Sequence, residues 1–226
     1  VNKLAQFAAN IVRELDDYIF RDGIRVAAAT FASRSQVEFA FTGGLSGYTP
    51  NADVGIERTA DIIANALEQI EYTEEANVLT NTNIHMGLQT VRKYLIDANA
   101  GYRAQALHVI VLTDGKADNT GGTAEQRLAD ELARFDLLTV TGVQRWAFGF
   151  GSEPDFATLA AIAPTRDTTT PIDSTGSAGL YEATAATIIA ENHFCETTTA
   201  TTSATSTQTT TPCSEVRADL VFVIDA

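Results

Sequence analysis

The chain is poor in positive charge and has no long apolar segment. Its 226 residues include 15 Lys and Arg against 29 Asp and Glu, which gives a formal net charge of −14. Nucleic acids and anionic membranes bind patches of Lys and Arg, so this charge disfavours both kinds of partner. No apolar run approaches the roughly 20 residues of a membrane-spanning helix, and we expect no membrane insertion within these residues.

Cysteine and histidine are also scarce. Cys195 and Cys213 are accompanied by no Cys-x-x-Cys motif or Cys/His cluster, which argues against a zinc site of the structural kind. We favour a disulfide between these cysteines, although they could also be unrelated thiols or have partners outside this chain. The three histidines, His85, His108 and His193, are scattered, and we interpret them as surface or boundary residues. Trp146 and the phenylalanines are interpreted as core.

The hydrophobic periodicity predicts helices that alternate with strands. Apolar positions recur at helical spacing in residues 2–18, 54–70, 80–95, 123–135, 155–162 and 179–193. Short apolar or alternating runs predict strands at residues 24–33, 37–41, 106–112, 144–150 and 170–173. Alternation of this kind is typical of an α/β fold with a doubly wound, mostly parallel sheet flanked by helices.

The last residues of the chain are predicted to form one more buried strand, which follows a polar linker. In residues 196–212, 12 of 17 positions are Ser or Thr, so this segment cannot bury a core. Its composition fits an O-glycosylated extracellular spacer or a plain flexible linker equally well. Residues 220–224 then form an apolar run typical of a strand covered on both faces, with Asp225 at its carboxyl end.

Three side chains with hard oxygen atoms lie next to predicted elements. Asp114 follows the strand 106–112, Asp225 ends the last strand, and Thr80 opens the helix 80–95. Each has a simpler interpretation on its own, such as a turn for Asp114 or a helix N-cap for Thr80. Ligand sites of parallel α/β folds lie beyond the carboxyl ends of strands, and Mg²⁺ accepts carboxylate and hydroxyl oxygens. We therefore expect the three to converge on one ion.

Three motifs together resemble the von Willebrand factor type A domain, a Rossmann-like family that includes the integrin inserted domains. Its metal-ion-dependent adhesion site (MIDAS) combines Asp-x-Ser-x-Ser after the first strand, a Thr before a helix, and a Thr-Asp-Gly turn. Residues 79–82 (Leu-Thr-Asn-Thr) resemble the Thr element, and 112–116 (Leu-Thr-Asp-Gly-Lys) resemble the turn. Residues 219–226 resemble the first strand with its Asp, but the two serines are absent. Residues 25–31 and 147–151 add further agreement.

The resemblance implies a domain organisation. Residues 1–195 would form one such domain without its first strand, 196–214 a Thr/Ser-rich linker, and 215–226 the first strand of the next repeat in a tandem array. We expect residues 218–225 to fill the vacant first-strand position as a parallel central strand, bringing Cys195 close to Cys213. The alternative is domain swapping, in which the strand fills a neighbouring molecule's sheet.

The resemblance also implies a function. It predicts an extracellular adhesion or ligand-binding module, secreted or part of a surface protein, whose Mg²⁺ (or Mn²⁺ or Ca²⁺) is bound by Thr80, Asp114 and Asp225. An acidic side chain of a protein partner, for example a matrix protein such as collagen, would complete the coordination of this partial site. The alternative is a module of a structural extracellular-matrix array, with incidental or no metal dependence. We find no Gly-rich phosphate loop and no nucleophile–base pair, and expect no enzymatic activity.

Overall fold

Five strands form one sheet in a computed structural model of the chain. The structure describes residues 3–16, 19, 24–41, 60–70, 82–103, 106–113, 123–138, 143–150, 155–163 and 218–225. The strands are β1 Ile24–Phe31, β2 Ser35–Phe39, β3 Ala106–Thr113, β4 Val143–Gly149 and β5 Ala218–Asp225. Their order across the sheet is β2-β1-β5-β3-β4. Only the pairing of β1 with β2 is antiparallel among these strands, so the mostly parallel sheet is confirmed.

The last strand in the chain lies at the centre of the sheet. β5 pairs in parallel with β1 from Ala218 to Asp225, and with β3 from Ala218 to Ile224. All eight of its residues are buried. A strand that is paired on both edges and covered on both faces has a continuous apolar sequence, which explains the run at 220–224. The expected parallel insertion as a central strand is therefore confirmed.

Helices cover both faces of the sheet. They are α1 Lys3–Glu14, α2 Ala60–Glu68, α3 Ile84–Thr90, α4 Thr123–Asp136 and α5 Phe156–Ile162, with a π-helical turn Val91–Leu95 and a 3₁₀ turn Ala98–Ala100 after α3. Each of the five α-helices lies within a helix that the periodicity predicts or extends it by one residue, whereas the 3₁₀ turn was not predicted. The predicted strand 170–173 and helix 179–193 lie outside the described residues. No helix in the described part of the chain is long and apolar enough to cross a membrane.

The side chains of β5 alternate between two cores. Residues Leu220, Phe222 and Ile224 pack in the cluster that includes α1 and α2, whereas Val221 and Val223 pack in the cluster that includes α3, α4 and α5. Successive side chains of a strand point to opposite faces. The two acidic ends of β5, Asp219 and Asp225, therefore belong to the face that α3 covers.

A glycine allows α3 to approach the sheet closely. A Cβ atom added at Gly87 would lie 2.7 Å from Val223 Cγ1 and 2.9 Å from Phe31 Cδ1. Contacts this short are not tolerated without displacement of the neighbouring side chains, and those neighbours belong to β5 and β1. The absence of a side chain at Gly87 therefore sets the distance between α3 and the central strands.

The interpretation of His108 as a surface or boundary residue is wrong. His108 lies in β3 and is fully buried, and its Nδ1 accepts a hydrogen bond of 3.4 Å from Trp146 Nε1. The two rings stack with centroids 6.5 Å apart. A central strand is covered on both faces, so polar positions along it are buried too, and the indole N–H of Trp146 on β4 supplies a hydrogen-bond partner. His85 is half-buried on α3, Trp146 is in the core as predicted, and His193 lies outside the described residues.

Candidate functional site

Asp225 stands at the carboxyl edge of the sheet between the ends of β1 and β3. Its exposed fraction is 7%, and Phe31, the last residue of β1, is its register partner. On the other side, Thr113 Oγ1 at the end of β3 donates a hydrogen bond of 2.6 Å to Asp225 Oδ2. The carboxylate of Asp225 is thus held at the edge where ligands of parallel α/β folds bind.

The beginning of α3 lies at the same edge. The backbone N–H of Asn83 donates a hydrogen bond of 3.3 Å to the carbonyl oxygen of Ala32. Ala32 directly follows β1, whose last residue is paired with Asp225. The residue that precedes α3 therefore lies beside the strand end that flanks Asp225.

Of the three predicted metal ligands, the structure describes Asp225. Thr80 and Asp114 lie outside the described residues, as do Cys195 and Cys213, so their convergence and pairing stay predictions. Asp114 nevertheless follows Thr113 directly in the sequence, and Thr80 precedes Asn83 by three residues. Among the described residues alone, no three His, Cys, Asp or Glu side chains form a group that could hold a metal.

The described side chains fit a hard divalent cation in their chemistry. Asp225 offers carboxylate oxygens, which Mg²⁺ and Ca²⁺ prefer as ligands. Carboxylates that bind metals are usually themselves hydrogen-bonded by a neighbouring group that fixes their orientation, and the Thr113 hydroxyl makes such a bond. Asp225 thus supplies one carboxylate of the kind that such an ion takes as a ligand, and Thr113 would fix its orientation.

A second buried acid lies near this edge and was not singled out from the sequence. Glu38 on β2 is 3% exposed, and its Oε1 accepts hydrogen bonds from Thr30 Oγ1 at 2.6 Å and from Gln36 Nε2 at 2.7 Å. Two neutral donors stabilise this carboxyl group within the sheet. We interpret Glu38 as part of a structural polar network. The one sequence signal for it is its place between Val37 and Phe39 in a strand.

An ion pair lies at the other end of β5, and the sequence analysis did not identify it. Asp219 is completely buried, and it accepts hydrogen bonds of 2.8 Å from both the backbone N–H and the Nε of Arg103. Arg103 Nη2 also donates to the carbonyl oxygen of Ala218 at 2.6 Å. Burial raises the pKa of Asp219, and the hydrogen bonds and charge of Arg103 oppose that shift. Burial, with a smaller contribution from Asp219, raises the pKa of Tyr102 to about 12.

The chain resembles one protein family in sequence and several solved structures in fold. The family model of the von Willebrand factor type A domain matches residues 1–182. Proximal thread matrix protein 1 (PTMP1) from the mussel byssus matches with a TM-score of 0.55 and 19% identity, covering 82% of this chain and 42% of that one. Its second crystal form matches with a TM-score of 0.56 and the same identity, covering 81% and 42%.

A third structure is of the same mussel protein with a zinc-occupied MIDAS motif. It matches with a TM-score of 0.54 and 19% identity, covering 80% of this chain and 42% of that chain. The chain thus spans less than half the length of these solved structures, and at this identity the likeness concerns the fold. No curated protein matches the chain.

Proposed function

Because the chain belongs to the von Willebrand factor type A domain family, we propose that it is an adhesion or protein-binding module with a divalent cation at the carboxyl edge of its sheet. Domains of this family generally act as interaction modules rather than as enzymes. The observation that carries the proposal is the hydrogen bond from Thr113 to Asp225, which orients a buried carboxylate at that edge.

The proposed ligands come from three separate segments of the chain. Asp225 anchors the ion from β5, and Asp114 follows the Thr113 that holds Asp225. Thr80 approaches from the residues before α3, directly or through a water molecule. The position of Asn83 beside the end of β1 supports that approach. Oxygen ligands favour Mg²⁺, Mn²⁺ or Ca²⁺. The zinc bound by the mussel protein supports cation binding in this fold, and zinc also accepts carboxylate oxygens.

The proposed partner is a protein that presents an acidic side chain. When bound, the cation supplies an open coordination position that a partner's carboxylate completes. Asp225 is buried, and the effective dielectric constant is lower there than in water. The attraction between its carboxylate and the ion is therefore stronger. A matrix protein such as collagen is one partner of this type, and we propose an extracellular location for the chain.

A structural matrix module is the second candidate function. It is favoured by the name of the solved neighbour, a thread matrix protein, and by the Ser/Thr-rich segment 196–212. In this alternative, residues 1–195 form one domain of a tandem array, 196–214 a spacer, and 215–226 the first strand of the following repeat. Assembly would then proceed without a metal ion.

Calorimetric titration of the whole chain with Mg²⁺, Mn²⁺ and Zn²⁺ tests the proposed cation site. We expect wild-type binding and at least a tenfold weaker affinity for Asp225→Asn, which keeps the shape of the side chain but removes its charge. Asp61→Asn is the matched control because its carboxyl lies on α2 and is 84% exposed. Equal affinities for the wild type and Asp225→Asn, both folded, would reject the site.

Binding to immobilised collagen distinguishes the two candidate functions. The adhesion module predicts binding in Mg²⁺ that EDTA abolishes and that Asp225→Asn weakens. The matrix module predicts self-association, measured by light scattering, that is equal in Mg²⁺ and in EDTA. Metal-independent self-association without EDTA-sensitive binding would favour the matrix role over adhesion.

A further inference from the structure

We propose that the slot between β1 and β3 accepts residues 218–225 of a second copy of this chain, so that two copies join by reciprocal exchange of β5. The partner is therefore identical to the chain itself. The proposal rests on the sheet and on the ion pair of Arg103 with Asp219, and it does not depend on the proposed cation site.

The first argument is that β5 is recognised entirely through non-covalent contacts in the sheet. It is paired with β1 over all eight of its residues and with β3 over seven. Its apolar side chains enter both cores, and the strand as a whole is buried. Any copy of the same strand meets the same set of contacts in any copy of the same slot.

The second argument is that polar contacts at both ends identify this particular strand. Arg103 binds Asp219 and the carbonyl oxygen of Ala218 at one end, and Thr113 binds Asp225 at the other. A shift of one residue would turn both aspartates toward the opposite face of the sheet. It would leave a buried charge unpaired, which is strongly unfavourable. The slot is thus complementary to the sequence of β5 in one register.

The third argument is reach. Residues 164–217 connect β5 to Ala163, which directly follows α5. Any 17 residues, such as 196–212, can span at most roughly 56–61 Å at 3.3–3.6 Å per residue. The number of connecting residues therefore sets no covalent limit that would restrict β5 to the chain's own slot.

The balance between the two arrangements is set by concentration and by the folding history. Short linkers give a tethered segment an effective concentration of about the millimolar range, and a connection as long as residues 164–217 gives a lower one that still exceeds the concentration of dilute chains, which therefore fill their own sheets. A central strand leaves only when the sheet opens, because its edges and faces are all engaged. We therefore expect exchange when chains fold together at high concentration, and little exchange between folded chains.

A pair of charge-reversal variants tests the exchange. Arg103→Asp places two negative charges at the end of β5, and Asp219→Arg places two positive charges there. In a reciprocally exchanged dimer that contains one copy of each variant, residues 103 and 219 carry opposite charges in both slots. In either variant alone, they carry like charges. After joint refolding from urea at about millimolar concentration, we expect native mass spectrometry to detect the mixed dimer at least tenfold above either homodimer. A mixture that contains only monomers would overturn the proposal.

Two controls keep the test decisive even if a single variant does not fold. The double variant Arg103→Asp/Asp219→Arg restores opposite charges within one chain. An exchanged dimer of it with the wild type would pair like charges in both slots, so this mixed dimer should not form. Isotopically labelled and unlabelled wild-type chains should form mixed-mass dimers after joint refolding but not after mixing in the folded state. Dimers that form equally well without unfolding would indicate surface association, and wild-type chains that stay monomeric throughout would also overturn the exchange.

Discussion

Thr113 on β3 and Asp225 on β5 are joined by a buried hydrogen bond of 2.6 Å between residues 112 positions apart in the sequence. Thr113 immediately precedes Asp114, the second carboxylate proposed for the cation site. The bond thus links the strand that leads to one proposed ligand with the side chain of another. Loss of the Thr113 hydroxyl should therefore affect cation binding more than the fold.

We expect Thr113→Val to weaken Mg²⁺ binding by about 10–100-fold, the usual effect of removing a group that orients a metal ligand. Valine matches threonine in shape, so the sheet should be retained. Thr113→Ser keeps the hydroxyl and is the control, with an affinity close to that of the wild type. The measurement is calorimetric titration, and an unchanged affinity in Thr113→Val would show that the hydroxyl does not orient Asp225.

We expect Gly87→Ala to lower the free energy of unfolding by about 1–3 kcal/mol, as overpacking of a close-packed core does. The added methyl group would lie 2.7 Å from Val223 Cγ1. Val223→Ala removes that atom, so the double variant should be more stable than the sum of the two single effects predicts. Urea unfolding of all four proteins measures this coupling. Additive effects would mean that α3 and β5 do not meet at this point.

We expect the stability of the chain to fall below neutral pH in part because of His85. Burial, with the nearby charge of Arg127, lowers the pKa of His85 from its ordinary 6.5, while Glu131 opposes the shift. As the pH falls through 6.5, the unfolded chain takes up this proton first. The contribution of neutral His85 is therefore complete above that pH and is lost below it.

The variant His85→Gln tests this contribution. Its free energy of unfolding should change less than that of the wild type between about pH 8 and pH 5, because glutamine does not titrate over the range in which histidine changes charge. Urea unfolding at several pH values provides both curves. Parallel curves for the two proteins would show that His85 has the same proton affinity in the folded and unfolded chains.

We expect Arg103→Met to destabilise the fold by about 3–5 kcal/mol, because it leaves the buried Asp219 without its charge partner. Arg145→Met is the matched control. Arg145 is largely buried, but its partner Asp136 is 66% exposed, so removal of Arg145 leaves no buried charge unpaired and should cost less. Thermal and urea unfolding compare the two variants. Equal losses in the free energy of unfolding would show that the burial of Asp219 does not make its ion pair more important for stability than the pair of Arg145.

We expect Cys195 and Cys213 to form a disulfide that stabilises the chain by about 3 kcal/mol through closure of the loop between them. Titration of free thiols in the denatured, unreduced chain should give none, and two after reduction. Cys213→Ser should lower stability by an amount similar to that of reduction. Two reactive thiols in the unreduced chain would contradict the pairing.

The helices and strands could be predicted because their signals are local. The spacing of Leu4, Phe7 and Ile11 marks α1 without reference to any other segment, and the apolar run of β5 marks a strand buried on both faces. The end points are less predictable. The helix expected over residues 80–95 contains α3 and a π-helical turn in its described part.

The side-chain partners could not be predicted in the same way. Arg103 and Asp219 are 116 residues apart, and no local pattern relates a charge in one loop to a charge that begins a strand. The burial of His108 was missed because isolated histidines are usually exposed, whereas its partner Trp146 lies on the neighbouring strand. Each contact exists only because strand order and register bring the two residues together.

The sequence by itself determined the class of fold, the type and approximate extent of most elements, and the position of Asp225 at a strand end. These features follow from hydrophobic spacing, which acts over a few residues. The tertiary structure decided that β1 and β3 are the neighbours of the expected central strand β5, that Thr113 donates a hydrogen bond to Asp225, and that Arg103 pairs with Asp219. Such contacts depend on register across the sheet, because a shift of one residue would reverse every side chain of β5.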